Sequence, residues 1–128
     1  AFDARRVVPL EMPRGLTLTV GVDPDTISIT PDGVVRYVVV TSNAGAVMGV
    51  MYEGLRCATR SHRVYARYTS DGAWTSHPDA PWRDNSETPG SRHALAFART
   101  AACKGTTPND SVRSIVHALR FPVKTGNL

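Results

Sequence analysis

The chain has 128 residues, 41% of them hydrophobic and 20% charged, with a net charge of +4. This length suits one domain that buries about two-thirds of its unfolded surface, and the composition excludes a disordered chain. No apolar run approaches the roughly 18 residues of a membrane-spanning helix, so the chain is read as not transmembrane, and so mild a positive charge is no signature of nucleic-acid binding. Thirteen of the fifteen basic residues are Arg, the exceptions being Lys104 and Lys124. Arginine grips carboxylates and phosphates in a planar fork and stacks on rings, so anionic partners are favoured, although genome composition also explains such a bias. The chain begins Ala1-Phe2-Asp3 without an initiator Met, as expected of a processed or trimmed product.

Residues 1–15 carry Pro9, Pro13, Gly15, Arg5 and Arg6 with little periodicity and read as an extended arm. The single domain is then expected over 16–121, with 122–128 a tail. Leu16 to Val22 alternates at period two, a strand with Leu16, Leu18, Val20 and Val22 on one face. Thr26 to Thr30 continues it with Ile27 and Ile29 inward. Pro31-Asp32-Gly33 is a turn. Val34 to Ser42 is apolar on both faces, which predicts a central strand covered on two sides. Asn43-Ala44-Gly45 turns the chain into a long strand, Val47 to Cys57, and His62 to Thr69 and a short segment around Trp74 complete an antiparallel meander.

From His77 to Gly90 the composition shifts to Pro, Asp and Asn, a long loop holding Trp82. Ser91 to Ala102 has helical spacing with Ala94, Leu95, Ala98 and Ala101 or Ala102 on one side. Thr107 as cap, Pro108 at the first helical position and Asp110 as a capping-box acid predict a second helix. Its buried stripe is Val112, Ile115, Val116 and Leu119, and Pro122 stops it. Strands followed by helices make an α+β fold: an antiparallel β-meander of about five or six strands with two C-terminal α-helices packed on it.

Cys57 and Cys103 read either as a bridge enclosing about 47 residues, worth roughly 4 kcal/mol of loop entropy, or as two buried thiols. The segments Asp32-Gly33-Val34-Val35-Arg36-Tyr37, Tyr52-Glu53-Gly54-Leu55-Arg56-Cys57, Val64-Tyr65-Ala66 and Asp71-Gly72-Ala73-Trp74, followed by His93-Ala94-Leu95, Cys103 and the Val112 to Leu119 helix, carry a resemblance. Over roughly residues 16–121 the chain resembles the cryptic neisserial protein family, exported proteins of Gram-negative bacteria. The resemblance implies a periplasmic location and a Cys57–Cys103 bridge, because disulfides persist in oxidising compartments. It brings no catalytic residues. The chain departs from the family pattern at Ala98-Arg99-Thr100-Ala101-Ala102, where relatives are aromatic and acidic.

Four groups of residues are candidates for chemistry. Arg63, Tyr65 and Arg67 alternate onto one strand face, with Arg60 and His62 nearby and Val64, Ala66 and Tyr68 opposite. That face suits an anionic ligand, or it is a solvated sheet face. Glu53 shares an inward face with Leu55 and Cys57 and needs a partner there; it is either a general base or one half of a salt bridge to Arg36. His62, His77, His93 and His117 show no metal-ligand spacing, and no phosphate loop or nucleophile motif is present, so no metal or cofactor is expected. Trp82 with Trp74 either anchors a partner or plugs the domain's own core.

The expected function is a non-enzymatic, periplasmic protein-binding module, an accessory subunit of an envelope or membrane-protein complex, with the bare N-terminal arm, the Trp82 loop and the basic strand residues Arg60, Arg63, Tyr65 and Arg67 as contacts. The alternatives are a binding module for anionic glycans or lipid headgroups, marked by the Arg60–Arg67 strand, and an unrecognised hydrolase built around Glu53.

Overall fold

The computed structural model describes residues 2–10, 18–69, 71–85 and 92–122. An antiparallel sheet is built in chain order from β1 (Val8–Pro9), β2 (Thr19–Ile29), β3 (Val34–Asn43), β4 (Ala46–Arg56), β5 (Ser61–Tyr68) and β6 (Trp74–Ser76). A short β7 (Arg83–Asp84) pairs with β5 beside β6. Helix α1 (Arg92–Phe97) widens into a π turn over Ala98–Ala102. The turn leads into the β8 (Cys103–Lys104) and β9 (Thr107–Pro108) ribbon and then α2 (Val112–Arg120). This is the α+β meander with two C-terminal helices that the patterning predicts.

Both sides of β3 are covered. On the helical side Val22, Ile27, Val35, Tyr37, Val39 and Leu55 pack against Ala94, Phe97, Ala101, Ala102, Ile115 and Leu119. On the outer side Val38, Val40 and Val50 pack against Phe2, Val7, Tyr52 and Tyr68. The second cover is therefore the N-terminal segment itself. After a 3-10 turn at Ala4–Arg6, β1 lies along β2, Leu10 is buried, and the Phe2 ring meets Tyr68 and Trp74 at 5.1 and 5.8 Å. Residues 2–10 of the expected arm are thus docked on the sheet. Its remaining residues, and Leu16, lie outside the described residues.

An ionic knot holds this docking. The buried Asp23 carboxylate accepts from Arg6 Nε at 2.7 Å and from the Asp3 backbone N–H at 2.8 Å. Burial favours protonating Asp23, but Arg6 and the Asp3 and Asp25 amides outweigh it and hold the carboxyl below its ordinary range. At the β3–β4 hairpin, Ala44 at φ 51° and Gly45 at φ 84° are both left-handed, as a two-residue turn matching strand twist requires. Gly45 adopts this freely; Ala44 does so against its Cβ.

The Cys57–Cys103 disulfide is formed, with 5.7 Å between Cα atoms 46 residues apart. It joins the end of β4 to the start of β8 and clamps the helical layer onto the sheet. The helices differ in detail from the sequence expectation. Position 91 lies outside the described residues, and the π turn breaks the simple helical phase, so His93 and Phe97 are buried along with Ala94, Ala101 and Ala102. Helix α2 starts at Val112 rather than at Pro108. Thr107 and Pro108 pair with Lys104 and Cys103, and the Thr107 hydroxyl donates to the Lys104 carbonyl at 3.0 Å. Asp110 pairs with Lys104 at 2.9 Å, and Ser111 takes the cap by accepting from the Ser114 N–H at 3.0 Å. The stripe Val112, Ile115, Val116 and Leu119 faces the core as expected, and the helix ends before Pro122.

Candidate functional site

Two polar constellations lie on opposite sides of β4. On the helical side, Glu53 is fully buried and directly opposite Tyr37 across the β3–β4 ladder. The Tyr37 hydroxyl donates to Glu53 Oε1 at 2.9 Å. His93, brought down by α1, places Nε2 2.9 Å from Oε1 and 2.7 Å from Oε2. Burial, and then the adjacent Glu53 carboxylate, push the Tyr37 phenol well above its ordinary pKa, so it stays a donor. Phe97 packs edge-on against Tyr37 at 4.6 Å and helps seal the cluster. The His62 ring lies 5.9 Å from His93, with Nδ1 3.0 Å from Asn85 Oδ1.

Glu53 is thus inward, as its spacing from Leu55 and Cys57 requires, but its partner is not Arg36. Val38, two residues from Arg36 on β3, faces outward, and so does Arg36. With no exposed surface and with Tyr37 and His93 as partners, Glu53 ties a helix to the sheet and offers no carboxylate to a substrate. The sequence reading missed His93. Taking Phe97, rather than Leu95, as the anchor of the α1 stripe would have put His93, four residues earlier, on the buried face.

The outer constellation centres on Tyr65. The β4–β5 register slips there: Tyr52 pairs with Ala66 and Glu53 with Val64, which leaves Tyr65 as the extra residue of a bulge. Its ring lies over Gly54, where an added Cβ would come within 2.6 Å of Tyr65 Cε2. Gly54 is needed because a ring occupies the space of a side chain. The Arg36 guanidinium lies 4.6 Å from the Tyr65 ring centre and that of Arg63 5.3 Å. The Arg56 guanidinium covers Trp82 at 3.9 Å, and Tyr52 and Trp82 flank Tyr65 at 5.7 and 6.4 Å. Burial disfavours the Arg36 charge, but the Tyr52 and Tyr65 side chains beside it outweigh burial and raise its pKa.

Of the residues singled out from sequence, Arg63, Tyr65 and Trp82 come together here, joined by Arg36, Arg56 and Tyr52. The bulge separates Arg67 from them. It pairs with Met51 on the helical side, its Nη1 3.0 Å from Met51 Sδ, while Ala66 and Tyr68 turn outward. Strict alternation from Arg63 to Arg67 therefore fails, because the bulge at Tyr65 reverses the phase. Arg60 is exposed in the β4–β5 turn at φ 53°, and its carbonyl accepts from the Asn85 N–H at 2.9 Å. Trp74 stands apart, packed on Phe2 and Tyr68. Among the described residues no three His, Cys, Asp or Glu side chains converge as metal ligands, and no helix is long and apolar enough to cross a membrane.

No curated protein and no solved structure matches the chain. Among family patterns, the CNP1-like family matches residues 1–120. That span takes in both constellations, both cysteines and all of α2. By this match the chain belongs to the CNP1-like family.

Proposed function

We propose that this protein is a non-enzymatic docking module of the periplasm. It binds an envelope protein through the outer face around Tyr65, as an accessory subunit of an envelope or membrane-protein complex. One observation carries the reading. Arg36, Arg56 and Arg63 are laid against Tyr65 and Trp82, and among the described residues none of the three forms an ion pair. Guanidiniums held in place by rings lose little entropy on binding and present donors matched to carboxylates. Arg, Tyr and Trp are also the side chains that concentrate binding energy at protein interfaces. The partner surface is accordingly acidic. The formed disulfide supports an oxidising compartment.

The test is capture from periplasmic and detergent-solubilised membrane fractions, with wild type and an Arg36→Glu/Arg56→Glu variant of matched thermal stability. The expected result is one stoichiometric partner, lost in the variant and weakened by salt. Undiminished capture by the variant would sink the reading. Retention on an acidic polysaccharide resin, lost in the same variant with no protein captured, would favour anionic glycans instead.

A further inference from the structure

The free edge of β5 is covered only in part. Strand β6 pairs with Ala66–Tyr68 and β7 with Ser61–His62, while the segment between them is pinned at one end by the His77 N–H donating to the Tyr65 carbonyl at 2.7 Å. In between, that segment bows away from β5 and encloses a cleft of about 390 Å³. Its polar lining is Arg63, Arg67, Arg83, His62, His77 and Ser76, with Asp79 the one acid among the described residues. Val64, Pro78 and Pro81 supply apolar wall.

Three features make this more than a basic surface. Among the described residues His77 Nε2 is buried and has no hydrogen-bond partner, and the same is true of Arg63 Nε. Buried polar atoms are nearly always satisfied, so such orphans mark the place of a missing ligand or water. The His62 ring is fixed in advance, because Asn85 Oδ1 can only accept and so holds the Nδ1 proton. Among the described residues Arg67 forms no ion pair, and its one polar contact there is the weak acceptor Met51 Sδ.

The geometry points to a binding site for a phosphate monoester in this cleft, with the dianion held by Arg67 and His77 beside His62 and the organic body resting on Val64 and the prolines. Phosphate fits better than a lone carboxylate because donors line the cleft from both β5 and the opposing segment, and a phosphate monoester offers three acceptor oxygens to a carboxylate's two. The cleft shares Arg63 with the docking face, but Arg36 and Arg56 lie on the outer face and do not line it, so different variants test the two sites.

The experiment titrates the whole protein with inorganic phosphate and with glucose 6-phosphate at constant ionic strength, following the imidazole signals of His62 and His77 by NMR. Saturable shifts of both rings are expected, with Arg67→Gln and His77→Gln each weakening affinity at least tenfold and the exposed Arg113→Gln leaving it unchanged. Phosphatidic acid vesicles form a second arm: sedimentation that needs Arg67 and His77 assigns the phosphate to a lipid headgroup, whereas none assigns it to a soluble ligand. Shifts that fail to saturate at millimolar phosphate, or an Arg113→Gln loss equal to that of Arg67→Gln, would overturn the proposal.

Discussion

The buried Tyr37–Glu53–His93 cluster makes a quantitative demand on stability. Replacing His93 with Leu keeps the bulk of the side chain but strips Glu53 of its closest partner, 2.7 Å away, inside a fully buried site. Removing one partner of a buried pair of this kind costs about 3–5 kcal/mol. Replacing Glu53 with Leu instead orphans the His93 Nε2 and Tyr37 hydroxyl donors, at about 1–3 kcal/mol each. Within the cluster, the double variant orphans only the Tyr37 hydroxyl. Its destabilisation should therefore fall short of the sum of the singles by about 2 kcal/mol or more. Urea unfolding of the disulfide-intact protein at pH 7, followed by far-UV circular dichroism and by the fluorescence of Trp74 and Trp82, reads this directly. With a slope of about 2 kcal/mol per molar urea, His93→Leu moves the midpoint by roughly 2 M. His93→Gln keeps a donor for Glu53 and should fall between wild type and His93→Leu. Additivity of the two single changes to within about 0.5 kcal/mol would refute the idea that the cluster acts as a unit.

Three further outcomes follow from the geometry. Cys57→Ser with Cys103→Ser opens a 46-residue separation and should cost about 2–5 kcal/mol in the same unfolding assay. Ala44→Asn places a residue tolerant of left-handed backbone at φ 51° and should add about 1 kcal/mol, seen as a rise of about 4 °C in Tm; no rise would mean that Ala44 is unstrained there. The folded Asp23 carboxyl sits below its ordinary value of 3.8, so its contribution is complete above that pH and is lost as acid drives protonation through the folded value. Asp23→Asn should be less stable than wild type at pH 7 and should shrink the loss of stability below about pH 4. Asp3, Asp32 and Asp71, also depressed, leave some acid sensitivity behind.

Periodicity alone specified the meander. Alternation in Val20 to Ile29, apolar runs on both faces of Val34 to Ser42, and turns at Pro31-Asp32-Gly33 and Asn43-Ala44-Gly45 are local features, and local features fix where strands begin, end and point. The helical stripe of α2 and the inward direction of Glu53 were legible for the same reason. Tertiary packing decided the rest. The bulge at Tyr65 arises because a ring from β5 takes the space above Gly54 on β4, and a pairing slip leaves no mark in one strand's own alternation. It gathers Arg63, Tyr65 and Trp82 while sending Arg67 to the other face. His93 reaches Glu53 only because the disulfide and the core bring α1 down onto the sheet, 40 residues along the chain. The docked N-terminal segment, too, depends on the Arg6–Asp23 pair, 17 residues apart, and on Phe2 meeting Tyr68 and Trp74. The sequence by itself determined the elements and the faces they present; which side chains meet across those elements was decided only when the chain packed, because those contacts join residues whose separations no local period encodes.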